Sequence, residues 1–95
     1  MLLKDEYHFS APGGRTVVNY VAWSPDSSML ASGANDKTVR VWDAASGTVK
    51  YTLDDTFCEV MSVAWSPDGS LLATGDDNGT LLVWRVDNDR IARVF

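Results

Sequence analysis

Residues 21–43, VAWSPDSSMLASGANDKTVRVWD, and residues 63–85, VAWSPDGSLLATGDDNGTLLVWR, superimpose at a shift of 42 positions, with 13 of the 23 identical. A repeat of about 20–50 residues marks a chain that stacks one structural unit on copies of itself, and it outranks local readings of structure. The likeness runs on past Trp42 and Trp84. Thr48-Val49-Lys50-Tyr51-Thr52-Leu53 aligns with Arg90-Ile91-Ala92-Arg93-Val94-Phe95 at the same shift.

Within each unit, short runs rich in Val, Thr, Trp and Tyr are cut by turn residues, and no helical period is sustained. The pattern predicts four strands per unit: 17–23, 29–33, 38–42 and 48–53 in the first, and 59–65, 71–75, 80–86 and 90–95 in the second. Ser24-Pro25-Asp26-Ser27 and Ser66-Pro67-Asp68-Gly69 put proline where a type I turn requires its fixed φ, and read as hairpin turns. Asn78-Gly79, between two apolar runs, predicts a hairpin in which both residues take positive φ. Ser46-Gly47 serves the same end in the first unit, and Asn35-Asp36-Lys37 is a less committed version.

These residues resemble the WD-repeat family, whose unit of about 40–45 residues has four strands and a Trp-Asp pair closing the third. Trp42-Asp43 carries that pair, and Trp84-Arg85 departs from it. The resemblance covers most of the chain and implies an all-β fold of β-propeller blades, two four-stranded antiparallel sheets per chain, with the ring completed by oligomerisation. Residues 17–53 then form the first blade and 54–95 the second. Residues 1–16 are an N-terminal segment whose stretch 2–9 competes with 90–95 for one outer-strand slot. The C-terminal stretch is preferred, because a short covalent connection closes at lower entropic cost.

The family's unit also carries a Gly-His pair ahead of the inner strand. Its histidine bonds to an Asp of the second hairpin, a Ser or Thr of strand two and the Trp of strand three. Here Gly13-Gly14 and Asp55-Thr56 stand at those positions, so both histidines are absent. The resemblance leaves Ser32, Asp36 and Trp42 in the first unit, and Thr56, Thr74, Asn78 and Trp84 in the second, as the structural network. The lost charge-assisted link implies blades less rigid than the family norm.

Composition narrows the function. With 45% apolar and 11% aromatic residues the chain requires a packed core. Thirteen acidic against eight basic residues give a net charge of -5, which disfavours nucleic acid and anionic membranes as partners and favours basic or neutral ones. No window approaches the roughly 20 apolar residues of a membrane span, and no signal peptide precedes the repeats, so the chain reads as soluble and cytoplasmic. The single Cys58 makes no intrachain disulfide.

Catalytic chemistry finds no footing. Cys58 lacks a neighbouring base, and His8, the only histidine, is 50 positions away, so neither a triad nor a metal tetrad assembles within one chain. Asp76-Asp77-Asn78-Gly79 lacks the ligand spacing and closing Glu of a calcium loop and reads as a turn. Asn78-Gly79-Thr80 matches a glycosylation sequon but likewise reads as a turn. The tryptophans recur at the repeat shift and read as core staples. No catalytic residue, metal ligand or cofactor is expected.

The family's loops before strand one and between strands two and three share one rim. Here they hold Arg15, Asn35, Asp36 and Lys37 from the first unit, and Asp54, Asp55, Phe57, Glu59, Asp76 and Asp77 from the second. This acidic rim, with Phe57 as an aromatic anchor, is the candidate docking surface for a basic peptide or protein. Two blades leave an apolar face bare at each end, and repeat folds generally need three or more units. Identical chains meeting head to tail cover those faces, and a ring of four chains and eight blades is preferred to three chains and six. Two functions remain open: a non-catalytic interaction scaffold that self-assembles into a closed propeller, or an engineered, ancestral-like or excised propeller fragment whose only activity is self-assembly.

Overall fold

The computed structural model describes residues 16–54, 58–87 and 91–94. These form eight strands: β1 (Val18–Trp23), β2 (Met29–Ala34), β3 (Val39–Asp43), β4 (Thr48–Leu53), β5 (Val60–Trp65), β6 (Leu71–Asp76), β7 (Leu81–Val86) and β8 (Ile91–Arg93). They build two four-stranded antiparallel meanders, β1-β2-β3-β4 and β5-β6-β7-β8. The C-terminal strand β8 occupies the outer place of the second sheet, paired with β7. The alternative occupant, 2–9, lies outside the described residues. No helix among the described residues is long and apolar enough to cross a membrane.

The three inner strands of the two sheets repeat one another down to an irregularity, whereas the β3–β4 ladder shifts register between Val41 and Trp42 and the described β7–β8 pairs run without a shift. A β-bulge interrupts the β1–β2 ladder between Val18 and Tyr20, and another the β5–β6 ladder between Val60 and Ser62. The residues carried by the bulges, Asn19 and Met61, are the same position of the repeat. A bulge re-aims one side chain without ending the strand, which matters for Asn19 below.

Alternation within the strands sorts residues onto two faces. In the first sheet Ala31 pairs with Val41 and Gly33 with Val39, and this face meets the second sheet. Leu72, Val60, Val63 and Trp84 answer from the second sheet, and together these residues form the buried core between the blades. Gly33 is required there by close approach. A Cβ at that position would lie 2.5 Å from Val60 Cγ1, so no larger residue fits without separating the sheets.

The hairpins differ in detail from the expected primed turns. Only Gly79 of the Asn78-Gly79 pair has positive φ, +83°, and its N–H reaches the Asp76 carbonyl at 3.3 Å. The loop is therefore a type I turn followed by one left-handed residue, a geometry that needs glycine at a single place. The first blade puts Lys37 (φ 68°) where the second has Gly79, and Ser27 (φ 63°) where the second has Gly69. Asp26 Oδ1 accepts from the Ser24 hydroxyl at 2.8 Å and from the Ser28 N–H and hydroxyl at 3.0 and 2.7 Å. Asp68 makes the same three bonds with Ser66 and Ser70. Chiefly the Ser28 N–H, then the two hydroxyls, hold the Asp26 carboxyl down to about 2, and the Ser70 N–H leads the same effect at Asp68.

Candidate interaction surface

The rim takes shape where β1 and β5 begin. Asn35 exchanges two bonds with Val17: its Oδ1 accepts the Val17 N–H at 2.9 Å, and its own N–H donates to the Val17 carbonyl at 3.0 Å. In the second blade the Asp77 N–H donates to the Glu59 carbonyl at 3.1 Å. Each loop ahead of an inner strand is thus tied to the hairpin between strands two and three of its own blade. Leu53, at the end of β4, pairs with Val39 at the same edge, so Asp54 follows there.

The charged rim residues divide into those facing solvent and those engaged inside the protein. Asp54, Asp77 and Lys37 are exposed. Glu59 instead is half-buried and accepts from Asn19 Nδ2 at 3.0 Å, and the same amide group reaches the Val60 carbonyl at 2.9 Å. Asn19 is therefore a clasp from the first blade to the second. It carried no motif signal, because its orientation comes from a bulge, although its alignment with Met61 marks where the two units differ. Asp76 Oδ1 caps its own turn through the Asn78 and Thr80 N–H groups at 3.0 and 2.9 Å. Arg15, Asp55 and Phe57 lie outside the described residues.

Among the described residues each blade keeps the link from the strand-three indole to the strand-two hydroxyl. The Trp42 indole N–H donates to Ser32 Oγ at 3.0 Å, and the Ser32 hydroxyl donates to the Arg40 carbonyl at 3.5 Å. Trp84 donates to Thr74 Oγ1 at 3.4 Å. Asp36 joins a different group: its carboxylate accepts from the Thr38 hydroxyl at 2.6 Å and from Arg40 at 3.1 Å. Burial raises the Asp36 carboxyl, but those donors and the Arg40 charge outweigh it and hold the group below its ordinary value. Asn78 is exposed in its turn, and Thr56 lies outside the described residues.

At the opposite edge, an open cleft of about 280 Å³ lies between the two Pro-Asp turns, with Asp26, Asp68 and Asp87 in its wall. The sequence signal for it was the recurrence of those turns, read only as local structure. Among the described residues no group of three or more His, Cys, Asp or Glu is placed to hold a metal ion. Cys58 is a half-buried free thiol.

Two antiparallel four-stranded blades, each with an indole bonded to a strand-two hydroxyl, define a unit of a WD-repeat β-propeller. More particularly, the family model described as the first β-propeller of IFT140 matches residues 10–92, and the chain belongs to that family. Periodic tryptophan protein 2 of Arabidopsis thaliana is 41% identical over 54 residues, 57% of this chain and 5% of that protein. The small ribosomal subunit protein RACK1 of Glycine max is 48% identical over 42 residues, 44% of this chain and 13% of that protein. The solved structures of U3-55K and of the RRP9 WD40 repeats each superpose with a TM-score of 0.78 at 24% identity over 87% of this chain, covering 27% and 26% of theirs. That likeness is one of fold, and the chain spans a small part of each relative's length.

Proposed function

We propose that the chain is a non-catalytic interaction module of the reducing cytoplasm. In this reading its two blades stack head to tail on further copies to close a propeller, and its rim offers Asp54 and Asp77 to a basic peptide or protein. The observation that carries the reading is the exposure of apolar strand residues on both outward sides of the blade pair. Val18, Val21 and Trp23 lie on one side, Met61 and Leu81 on the other. Exposed apolar patches of this kind mark interaction surfaces.

Engagement of Glu59 and Asp76 within the protein favours the second reading, a bare assembly unit, because it thins the acidic rim. Titrating a Lys- and Arg-rich peptide separates the two. The scaffold reading expects binding that weakens as salt rises, since exposed charge pairs are screened beyond about 8 Å at physiological ionic strength, and that is lost when Asp54 and Asp77 are both replaced by Lys. Absence of binding at low salt, or binding indifferent to the double replacement, contradicts the rim and leaves self-assembly as the activity.

A further inference from the structure

We propose that Asn78 is a site of spontaneous covalent modification, where the side-chain amide cyclises onto the Gly79 nitrogen and leaves an aspartate or an isoaspartate in the hairpin between β6 and β7. This chemistry belongs to the turn itself and holds whether or not the rim binds a basic partner.

Asparagine is a chemically labile side chain, and its cyclisation needs a carboxamide free to swing, a following nitrogen within its reach, and water. Asn78 and Gly79 are both exposed. Among the described residues the Asn78 carboxamide has no hydrogen-bond partner, and only its main-chain N–H is held, by Asp76 Oδ1 at 3.0 Å. The same Asp76 oxygen takes the Thr80 N–H at 2.9 Å, the donor whose counterpart fixes Asp36 in the first blade. Gly79 brings no Cβ to obstruct the approach, and no heavy atom lies within 4 Å of where one would stand. Its own N–H is held by a long bond to the Asp76 carbonyl, at 3.3 Å.

Two related sites in the chain lack these conditions. Asp36, the repeat counterpart of Asn78, is pinned by the Thr38 N–H and hydroxyl at 3.2 and 2.6 Å and by Arg40 at 3.1 Å, and Lys37 follows it in place of glycine. Asp68-Gly69 has the glycine, but Asp68 Oδ1 is bound by Ser66 and Ser70 at 2.8, 3.0 and 2.7 Å, and the Gly69 N–H is committed to the Ser66 carbonyl at 2.9 Å. The step at Asn78 consumes only water. The Gly79 nitrogen gives its proton to solvent and attacks Asn78 Cγ; the N–Cγ bond forms, the Cγ–Nδ2 bond breaks, and the side-chain nitrogen takes a proton from water and leaves as ammonia. Water then opens the cyclic imide. Attack at Cγ gives aspartate, and attack at the main-chain carbonyl gives isoaspartate, whose backbone runs through Cβ and Cγ. Either product adds a negative charge beside Asp77, and isoaspartate also lengthens the turn that the Gly79–Asp76 bond closes.

The test is incubation of the full chain in mildly alkaline native buffer, with a parallel sample unfolded in urea, followed by digestion and mass spectrometry with chromatography that resolves isoaspartate. In the native sample the peptide carrying residue 78 should gain the mass of oxygen replacing NH and split into two isomers, faster as pH rises because the deprotonated nitrogen attacks. Peptides carrying Asn19, which is clasped to Glu59, Asn35, which is bound to Val17, and Asp68-Gly69 should stay unchanged over the same period. Asn78→Gln keeps the amide but requires a larger ring, and should slow the reaction at residue 78 by at least about tenfold, or about 1.4 kcal/mol in the barrier. If residue 78 changes in urea but not in the native chain, or no faster than Asn19 and Asn35, the fold shields Asn78 and the assignment is overturned. Isomerisation of Asp68-Gly69 at the pace of Asn78 would overturn it equally, since freedom of the side chain would then not set the reactivity.

Discussion

The indole N–H of Trp65 donates to the backbone carbonyl of Ala22 at 2.9 Å, tying the inner strand of the second blade to that of the first. A half-buried hydrogen bond of this kind contributes about 1 kcal/mol net. Trp65→Phe keeps most of the ring and removes the donor, so it should lower the unfolding free energy by about that amount in a urea titration. Trp23→Phe, at the exposed counterpart, should leave the protomer's stability nearly unchanged.

Trp84 is buried among Leu72, Val63 and Val86 and bonded to Thr74. Trp84→Ala opens a cavity and should cost on the order of 3–5 kcal/mol, a large part of the 5–15 kcal/mol that typically holds a domain together. Trp42→Ala should behave alike, since Trp42 is also buried and bonded to Ser32. Cys58→Ser, at a half-buried loop position, should be mild. Thermal melts rank the three variants, and the opposite order contradicts the core assignment.

The strands were largely legible in the sequence. Residues 48–53 form β4 as expected, and the remaining first-blade strands differ by a residue at their ends, because the runs stop at Ser24-Pro25-Asp26, Asn35-Asp36-Lys37 and Ser46-Gly47. What stayed hidden depends on pairing. The bulge at Asn19 exists only in the β1–β2 register, so neither its clasp nor the engagement of Glu59 was visible in spacing. The family resemblance put Asp36 in a network with the tryptophan, and in the structure Thr38 and Arg40 bind its carboxylate.

Left-handed backbone separates the two blades in a measurable way. Gly79 sits at φ +83° with no heavy atom within 4 Å of a Cβ placed there. Gly79→Ala should therefore lose about 1 kcal/mol to backbone strain alone. Lys37→Gly, at φ 68° in the same loop of the first blade, relieves strain of that size while raising the entropy of the unfolded chain by a comparable amount. Its denaturation midpoint should match or exceed that of the unsubstituted chain.

Acid stability should report on the two Pro-Asp turns. Both carboxyls have folded values of about 2 against an ordinary 3.8, so their contribution is complete above 3.8 and is lost as pH falls towards 2. Stability should fall across that window, and Asp26→Asn with Asp68→Asn should flatten the fall while lowering stability at neutral pH. A pH profile from 5 to about 2 in both proteins checks the sign.

The central claim is that this pair of blades completes itself with copies of itself. The mass of the native assembly, measured by native mass spectrometry or light scattering, tests it most directly. A closed assembly of whole chains is predicted, four first and three next, and it should persist in high salt because the contact is apolar. A well-folded monomer, with Val21 and Leu81 still facing water, would contradict it.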